Sequence, residues 1–358
     1  MNSLMLREPH AAARRARAAV FAFCWALGAS GFAVGEIPAR FVTVALDGVP
    51  NATRLAATSN GQTLFCLDGV RDGVVAMDPF LAGRVREVIA PPGPHAPRLV
   101  AVAAIDSAAL AAVCRTGDGW ELRTWRLKLD GPVAVEAPTQ RMFLGTAAGG
   151  DEAEVDLAVG GGRTWIAISG LPPPIAPVLR AALARMHVGP LTTRSCPGLD
   201  AAVRPVAVAS GPHDELVLFE HTAGADVVVS YHDHDGRCVL RLPTGLVRVR
   251  DAAFTPGGGA LWVLGDGADG MSGLWRLDAT LQGGRQAIRP TIVLPLADPS
   301  ALATPTDRAL VVSHGAGTMA GGRRLERLDL AGSATGDVPA PTAARDAAER
   351  SAPGDDPR

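Results

Sequence analysis

The sequence predicts an all-β fold, a six-bladed β-propeller closed by an N-terminal strand in its last blade. Three observations carry this. A short pattern is spelled six times: an apolar stretch, a turn, a second apolar stretch, a polar loop, and a third stretch reading apolar-x-Arg-apolar-Asp in its clearest copies, Leu274-Trp275-Arg276-Leu277-Asp278 and Leu325-Glu326-Arg327-Leu328-Asp329. The pattern returns about every 45–59 residues, the range in which fixed-period β repeats form propellers. Its apolar runs are short, alternate with period two and end in Gly, Asp or Pro, which marks strands joined by tight turns.

Each element of the repeat has its own composition. First strands start near Leu55, Ala101, Val155, Ala207, Ala252 and Ala301 and are rich in alanine, as the crowded axis requires. Second strands are bulkier, as in Leu64-Phe65-Cys66-Leu67 and Leu261-Trp262-Val263-Leu264, and should fill the space between sheets. Third strands centre on Val75-Ala76-Met77, Trp125-Arg126-Leu127, Leu183-Ala184-Arg185-Met186, Val229-Ser230-Tyr231, Trp275-Arg276-Leu277 and Glu326-Arg327-Leu328. Outer strands follow a Gly in most copies, at Gly83-Arg84-Val85, Gly131-Pro132-Val133, Gly189-Pro190-Leu191 and Gly236-Arg237-Cys238. The fifth copy, Ile288 to Leu294, lacks that lead, and the sixth lacks an outer strand altogether. An unclaimed strand, Phe41-Val42-Thr43-Val44-Ala45-Leu46, can complete the sixth sheet and close the ring,.

The ends read differently. Arg7, Arg14, Arg15 and Arg17 precede an apolar run from Ala18 to about Ala29, and small residues lead to Gly31-Phe32-Ala33. This is the layout of a secretory signal peptide over residues 1–33, with an apolar core short of the roughly 20 residues a membrane span needs. The reading implies an exported, periplasmic or secreted protein with no stable membrane span after cleavage. From 333 to 358 the chain is mostly Ala, Pro, Asp, Arg and Ser and reads as a disordered tail, leaving 34–332 as the propeller,. A formal net charge of −2 offers no basic field for nucleic acid,. Lys128 is the only lysine, so Schiff-base chemistry has one candidate, on a predicted outer strand,. Cleavage would remove Cys24 and leave Cys66, Cys114, Cys196 and Cys238. The repeat puts Cys66 and Cys114 on neighbouring second strands but one register step apart, so buried free thiols compete with a bridge.

The small-residue first strand, Gly-rich turns such as Asn60-Gly61-Gln62-Thr63-Leu64, and the Asp closing Val75-Ala76-Met77-Asp78 resemble bacterial YVTN/NHL/lactonase-like propeller proteins from Phe41 to about Gly332. The resemblance implies the fold. Lactonases, quinoprotein dehydrogenases and binding scaffolds all belong to that superfamily, so it leaves activity open and names no cofactor. The asparagines that a calcium lactonase of this kind uses around its channel are scarce here, with only Asn51 and Asn60 after the leader. The tryptophans are too irregular for the docking motif of quinoprotein dehydrogenases.

Candidate chemistry gathers at one end of the ring. Arg54, Arg98, Arg204 and Arg250 each sit one to three residues before an innermost strand and would ring the channel mouth. Guanidinium groups bind carboxylate or phosphate in bidentate fashion. Glu154, Asp251 and Asp298 are near enough in the repeat to pair with them instead. The run His232-Asp233-His234-Asp235 has metal-ligand residue types but sits in a predicted hairpin, where alternate side chains diverge. The loop Gly265 to Gly270 is Asp-rich yet lacks the closing Glu of a calcium loop,. His221 beside Glu220, and His314, suit general acid–base work, but no nucleophile pairs with either and no catalytic residue is assigned. The expectation is a binding or scaffold protein that takes a protein or a small anionic ligand at the channel mouth. A lactonase-like or quinoprotein-like enzyme is the alternative.

Overall fold

The computed structural model describes residues 40–331 apart from 50, 82–84, 90–96, 128–137, 147–153, 161–164, 177, 183–191, 196–203, 212–214, 223–225, 234–236, 283–284 and 317–321. The leader, the tail and Lys128 lie outside the described residues. Among the described residues, twenty-four strands form six antiparallel four-stranded sheets. Blade 1 is β2 (Ala52–Ala57), β3 (Leu64–Asp68), β4 (Val74–Met77) and β5 (Val85–Ile89). Blade 2 is β6 (Arg98–Asp106), β7 (Ala109–Arg115), β8 (Trp120–Arg126) and β9 (Gln140–Gly145). Blade 3 is β10 (Asp156–Val159), β11 (Trp165–Ser169), β12 (Val178–Ala182) and β13 (Thr192–Ser195). Blade 4 is β14 (Arg204–Ser210), β15 (Leu216–His221), β16 (Val227–His232) and β17 (Cys238–Pro243). Blade 5 is β18 (Leu246–Phe254), β19 (Leu261–Gly267), β20 (Ser272–Gln282) and β21 (Arg285–Pro295). Blade 6 joins β22 (Ala301–Thr306), β23 (Ala309–Gly315) and β24 (Arg323–Ala331) to β1 (Arg40–Ala45) from the start of the chain.

The innermost strands contact one another in order, and β22 returns to β2, so the ring is closed. Each of the six gaps between blades holds its own apolar layer. The bulky second strands supply it: Phe65 and Leu110 lie between blades 1 and 2, Phe219 and Val263 between blades 4 and 5. Period-two alternation explains why one strand feeds two layers. Phe65 and Leu67 face blade 2, whereas Leu64 and Cys66 face blade 6,.

The predicted closure is present. Arg40 to Ala45 run antiparallel to Ala331 to Glu326, and the Leu46 N–H continues the ladder to the Leu325 carbonyl at 2.8 Å. Two strand placements need correction. The third strand of blade 3 is Val178–Ala182, and the predicted Leu183 to Met186, which carry the same apolar-x-Arg-apolar pattern, lie outside the described residues. The former stacks Arg180 over Trp165 at 4.2 Å. The outer strand of blade 2 is Gln140–Gly145, a stretch whose polar start reads as a connection, and the predicted Gly131-Pro132-Val133 lies outside the described residues. Its Met142 stands opposite Leu122 and reaches the layer between blades 2 and 3.

The cysteines follow the register argument. Cys66 and Cys114 are buried free thiols in different layers, one facing blade 6 and the other facing blade 1. Burial raises the thiol pKa of both, Cys114 to about 12, so neither is a reactive thiolate,. Cys238 is free and exposed, and Cys196 lies outside the described residues.

Two substitutions test the closure. Leu46 is buried in the layer joining blades 6 and 1, so Leu46→Ala should lower stability by about 2–5 kcal/mol,. Val44 shares the alternation of Leu46, so its N–H faces β24, and Val44→Pro should cost about 2 kcal/mol or more by removing a ladder donor,. Denaturant unfolding measures both, with Val42→Thr at an exposed β1 position as the near-neutral control.

Candidate functional site

The axis is narrow because alanines line it. A cavity of about 170 Å³ is walled by Ala56, Ala103, Ala158, Ala209, Ala253 and Ala303, one from each blade. Toward one end it meets a second space of about 270 Å³ bordered by Thr58, Ser59, Thr255 and Gly211. Two residues before those alanines stands the position that faces the next blade's innermost strand. It is Ala101, Ala207 and Ala301 in blades 2, 4 and 6, but Arg54, Asp156 and Asp251 in blades 1, 3 and 5.

The two aspartates tie adjacent blades together. Asp156 accepts from the Leu157 N–H and from the Val208 N–H of blade 4, both at 2.9 Å. Asp251 accepts from the Ala252 N–H and from the Leu302 N–H of blade 6, both at 2.7 Å. The channel-side N–H groups of an innermost strand have no further strand to pair with, and these carboxylates satisfy some of them. Arg54 reaches over from blade 1, donating through Nη2 to the Val155 carbonyl of blade 3 at 3.4 Å. Burial raises the pKa of both aspartates, and the Asp156 charge raises Asp251 further, to about 8. The Arg54 charge and the backbone donors pull the other way,. Sequence reasoning took Asp251 only as a partner for arginine and missed Asp156. The available signal was an acid in the buried phase of two small-residue strands.

The structure places the four predicted arginines in different settings. Arg54 lines the channel and, with Arg98, a pocket at its rim. Arg250 is paired with Asp298 at 3.0 Å and Asp266 at 3.3 Å, and Arg323 joins the same Asp298 at 3.3 Å. Arg204 begins β14 opposite His221, and its side chain is outside the described residues. All four lie in the innermost strands rather than before them, Arg54 and Arg250 inside β2 and β18 and Arg98 and Arg204 at the starts of β6 and β14, because these strands begin earlier than their small-residue segments. Arg248, not singled out from the sequence, bridges to Glu154 of blade 3 at 3.3 Å.

The rim pocket between blades 1 and 2 has a volume of about 180 Å³. Arg98 on β6 stands directly opposite Arg115 on β7, and both line it. Asp72 approaches Arg98 at 3.5 Å from the loop between β3 and β4. That loop is shaped by Asp68, which accepts from the Val70 and Arg71 N–H groups, and the Asp72 backbone takes a left-handed φ of 55°. Buried Leu67, Leu99 and Trp120 supply the apolar wall. The β7–β8 turn that sets Arg115 against Trp120 needs Gly119, whose φ is 148°. A Cβ there would stand 2.3 Å from the Gly145 carbonyl oxygen. Arg115 and Trp120 were not among the sequence candidates, because the recurring arginine pattern lies in the connections that lead into first strands, whereas Arg115 ends a second strand and Trp120 begins a third.

The other candidates resolve into packing. His232 is buried, with Nε2 3.0 Å from Ser230 Oγ, and Ser230 donates in turn to Glu220, which Arg241 neutralises at 2.7 Å. His234 to Gly236 lie outside the described residues. Glu220 turns into the interior while His221 ends β15 at the mouth, so the two neighbours do not act together. His314 Nε2 lies 3.1 Å from Glu326, and Ser313 points away to donate to the Ala52 carbonyl at 2.6 Å. The Asp-rich stretch after Gly265 is strand up to Gly267 followed by a tight turn, with Asp269 accepting from the Met271 N–H at 3.0 Å. Among the described residues no group of three His, Cys, Asp or Glu side chains is placed to hold a metal ion.

Six four-stranded antiparallel sheets around one axis decide the architecture. The chain is a six-bladed β-propeller. Solved propellers superpose on it over most of their length. A putative oxidoreductase (glucose dehydrogenase) of Thermus thermophilus is 18% identical, with 81% of this chain and 100% of that chain covered at a TM-score of 0.56. The PQQ-bound aldose sugar dehydrogenase of Streptomyces coelicolor is 14% identical, with 82% and 99% covered at 0.51. A luciferin-regenerating enzyme is 12% identical, with 82% and 96% covered at 0.51. At these identities the likeness is one of fold. No protein-family model and no curated protein matches the sequence of this propeller.

The aspartate pair carries a pH signature. Unfolded Asp titrates near about 3.9, so between there and about 8 the folded propeller holds a proton that the unfolded chain releases,. The stability this group contributes is complete at the acid end and is lost as pH rises through the folded pKa. Melting temperatures of wild type and Asp251→Asn, followed from about pH 5 to about pH 8.5, should show the wild-type advantage shrinking with pH.

Proposed function

We propose that this propeller is a binding protein that captures a small organic anion in the rim pocket beside the channel mouth. One observation carries the reading: Arg98 and Arg115 face each other directly across the β6–β7 ladder, and both line the pocket. Two guanidinium groups bordering one pocket can hold one anion through charge-assisted contacts. The Asp72–Arg98 pair competes weakly, because Arg98 is 56% exposed and such pairs are worth about 0–1 kcal/mol,. Arg54 adds positive charge on the channel side, whereas Arg250 is already shared between two acids.

Export belongs to the same proposal and rests on the charged, apolar and small-residue segments of residues 1–33. A lactonase-like or quinoprotein-like activity gains nothing from neighbours that are 14–18% identical and share the fold.

Calorimetric titration with a panel of carboxylates and phosphates tests the binding. Arg98→Ala and Arg115→Ala should each weaken the best binder by about tenfold or more, and Arg250→Ala should leave it unchanged. Arg204→Ala shows whether the site extends to blade 4. Unchanged affinity in both Arg98→Ala and Arg115→Ala overturns the reading.

A further inference from the structure

The geometry points to an interface on the periphery of the ring: the outer edge of β1 docks a second copy of this chain, strand to strand, across a two-fold axis through Thr43. Three observations carry it. The edge is unguarded, its outward backbone groups are self-complementary, and exposed apolar side chains gather beside it.

The outermost strand of each blade pairs with a neighbour on one side only. Proteins protect such edges with charges, prolines and bulges. Five of the six outer strands carry such protection. Arg86, Arg141, Arg194, Arg241 and Arg289 stand within β5, β9, β13, β17 and β21. A register shift also interrupts the pairing of β5, β9, β17 and β21 with the strand inside each, and β21 adds Pro290. β1 has none of these devices. Its register with β24 runs unbroken from Arg40 to Ala45, and its only charged residue is the first. Among the described residues, no strand lies on its outer side.

The outward groups of β1 match a copy of themselves. Val42, Val44 and Leu46 turn their N–H groups to β24, so Phe41, Thr43 and Ala45 turn theirs outward,. Antiparallel pairing about Thr43 sets that residue against its own copy, Phe41 against Ala45 and Val42 against Val44. Every outward N–H and C=O from Phe41 to Ala45 then has a partner, and the stretch holds no charge to meet its like,. Thr43 is the midpoint of the three outward positions, so no other centre satisfies all of them.

The side chains agree. Arg327, opposite Val44, donates to the Pro79 carbonyl at 2.8 Å and lies over the Phe80 ring at 5.1 Å, which brings the turn after β4 to the Val42–Val44 face of β1. Of the six large apolar side chains exposed among the described residues, Val42, Phe80 and Leu81 are three,. The other face is taken, since Phe41 packs against Trp262. A two-fold axis through Thr43 keeps the Val42–Val44 faces of both copies on one side of the joined sheet, together with both Phe80–Leu81 turns. A lone peptide strand brings no such turn. An isologous contact of this kind closes at two copies.

Sedimentation equilibrium of the full chain is the test. Wild type should show a monomer–dimer equilibrium with no larger species. Thr43→Pro removes an outward donor and leaves the β24 ladder intact, and Thr43→Arg sets two cations against each other on the axis,. Each should raise the dimer dissociation constant by about tenfold or more. Thr43 is exposed, so Thr43→Arg should keep the wild-type circular dichroism, and Thr43→Ser should keep the dimer. Monomer at every concentration in wild type overturns the interface, as does a dimer that persists in both Thr43→Pro and Thr43→Arg. Open-ended association in wild type overturns the two-fold axis. A monomeric wild type that dimerises once the chain is cut after Ala331 makes the C-terminal segment the occupant of the edge and overturns the second copy.

Discussion

Closure of the ring is the constraint from which the rest follows. A sheet of four strands cannot bury both faces alone, and a row of six leaves two end faces in water. The propeller removes those ends by setting blade 6 against blade 1, so every blade has an apolar layer on each side. The join is made by β1 from one end of the chain pairing with β24 from the other. Covalent continuity therefore runs across the seam where the circle would otherwise part, and opening it means breaking a backbone ladder as well as an apolar layer.

The same closure creates the chemistry. Bringing six innermost strands to one axis forces small side chains there, and alanine meets the requirement. It also leaves a row of backbone donors facing a narrow channel. Asp156 and Asp251 answer two of them while crossing from one blade to the next. They are costly groups to bury, and the cost shows in their raised pKa values,. Two carboxylates with one arginine among them leave the channel short of positive charge, which a proton can supply. Placing these groups in alternate blades keeps charged residues apart around the ring, with alanine at the positions between.

At the rim the logic is reversed. The channel holds two buried carboxylates and one arginine in a tight, donor-rich space, whereas the pocket between blades 1 and 2 is bordered by two arginines at opposed register positions beside an apolar wall. Arg54 borders both spaces. Other charges at the mouth are paired as well: Arg248 meets Glu154, and Arg250 and Arg323 share Asp298. A ring of four equivalent arginines, as the repeat alone suggests, is broken by these local pairings. What sets the rim pocket apart is that its two opposed arginines border a space large enough for a ligand.

Local patterning along the chain was enough to specify the all-β class, the number of blades and the strand that closes them. Alternation of two marks strands, and a repeat near about 50 residues marks blades. The same patterning set Cys66 and Cys114 toward different layers, because one register step reverses a side chain. It misplaced the third strand of blade 3 and the outer strand of blade 2, where the repeat pattern occurs twice or is masked by polar residues. Packing of the blades, by contrast, settled which arginines are neutralised, that Asp156 and Asp251 bridge blades, and that Arg98 and Arg115 share one pocket. Arg54 and Asp251 belong to non-adjacent blades, and Asp72 meets Arg98 only when blades 1 and 2 pack. Such contacts depend on how the circle brings distant strands together, and no local pattern along the chain encodes that distance.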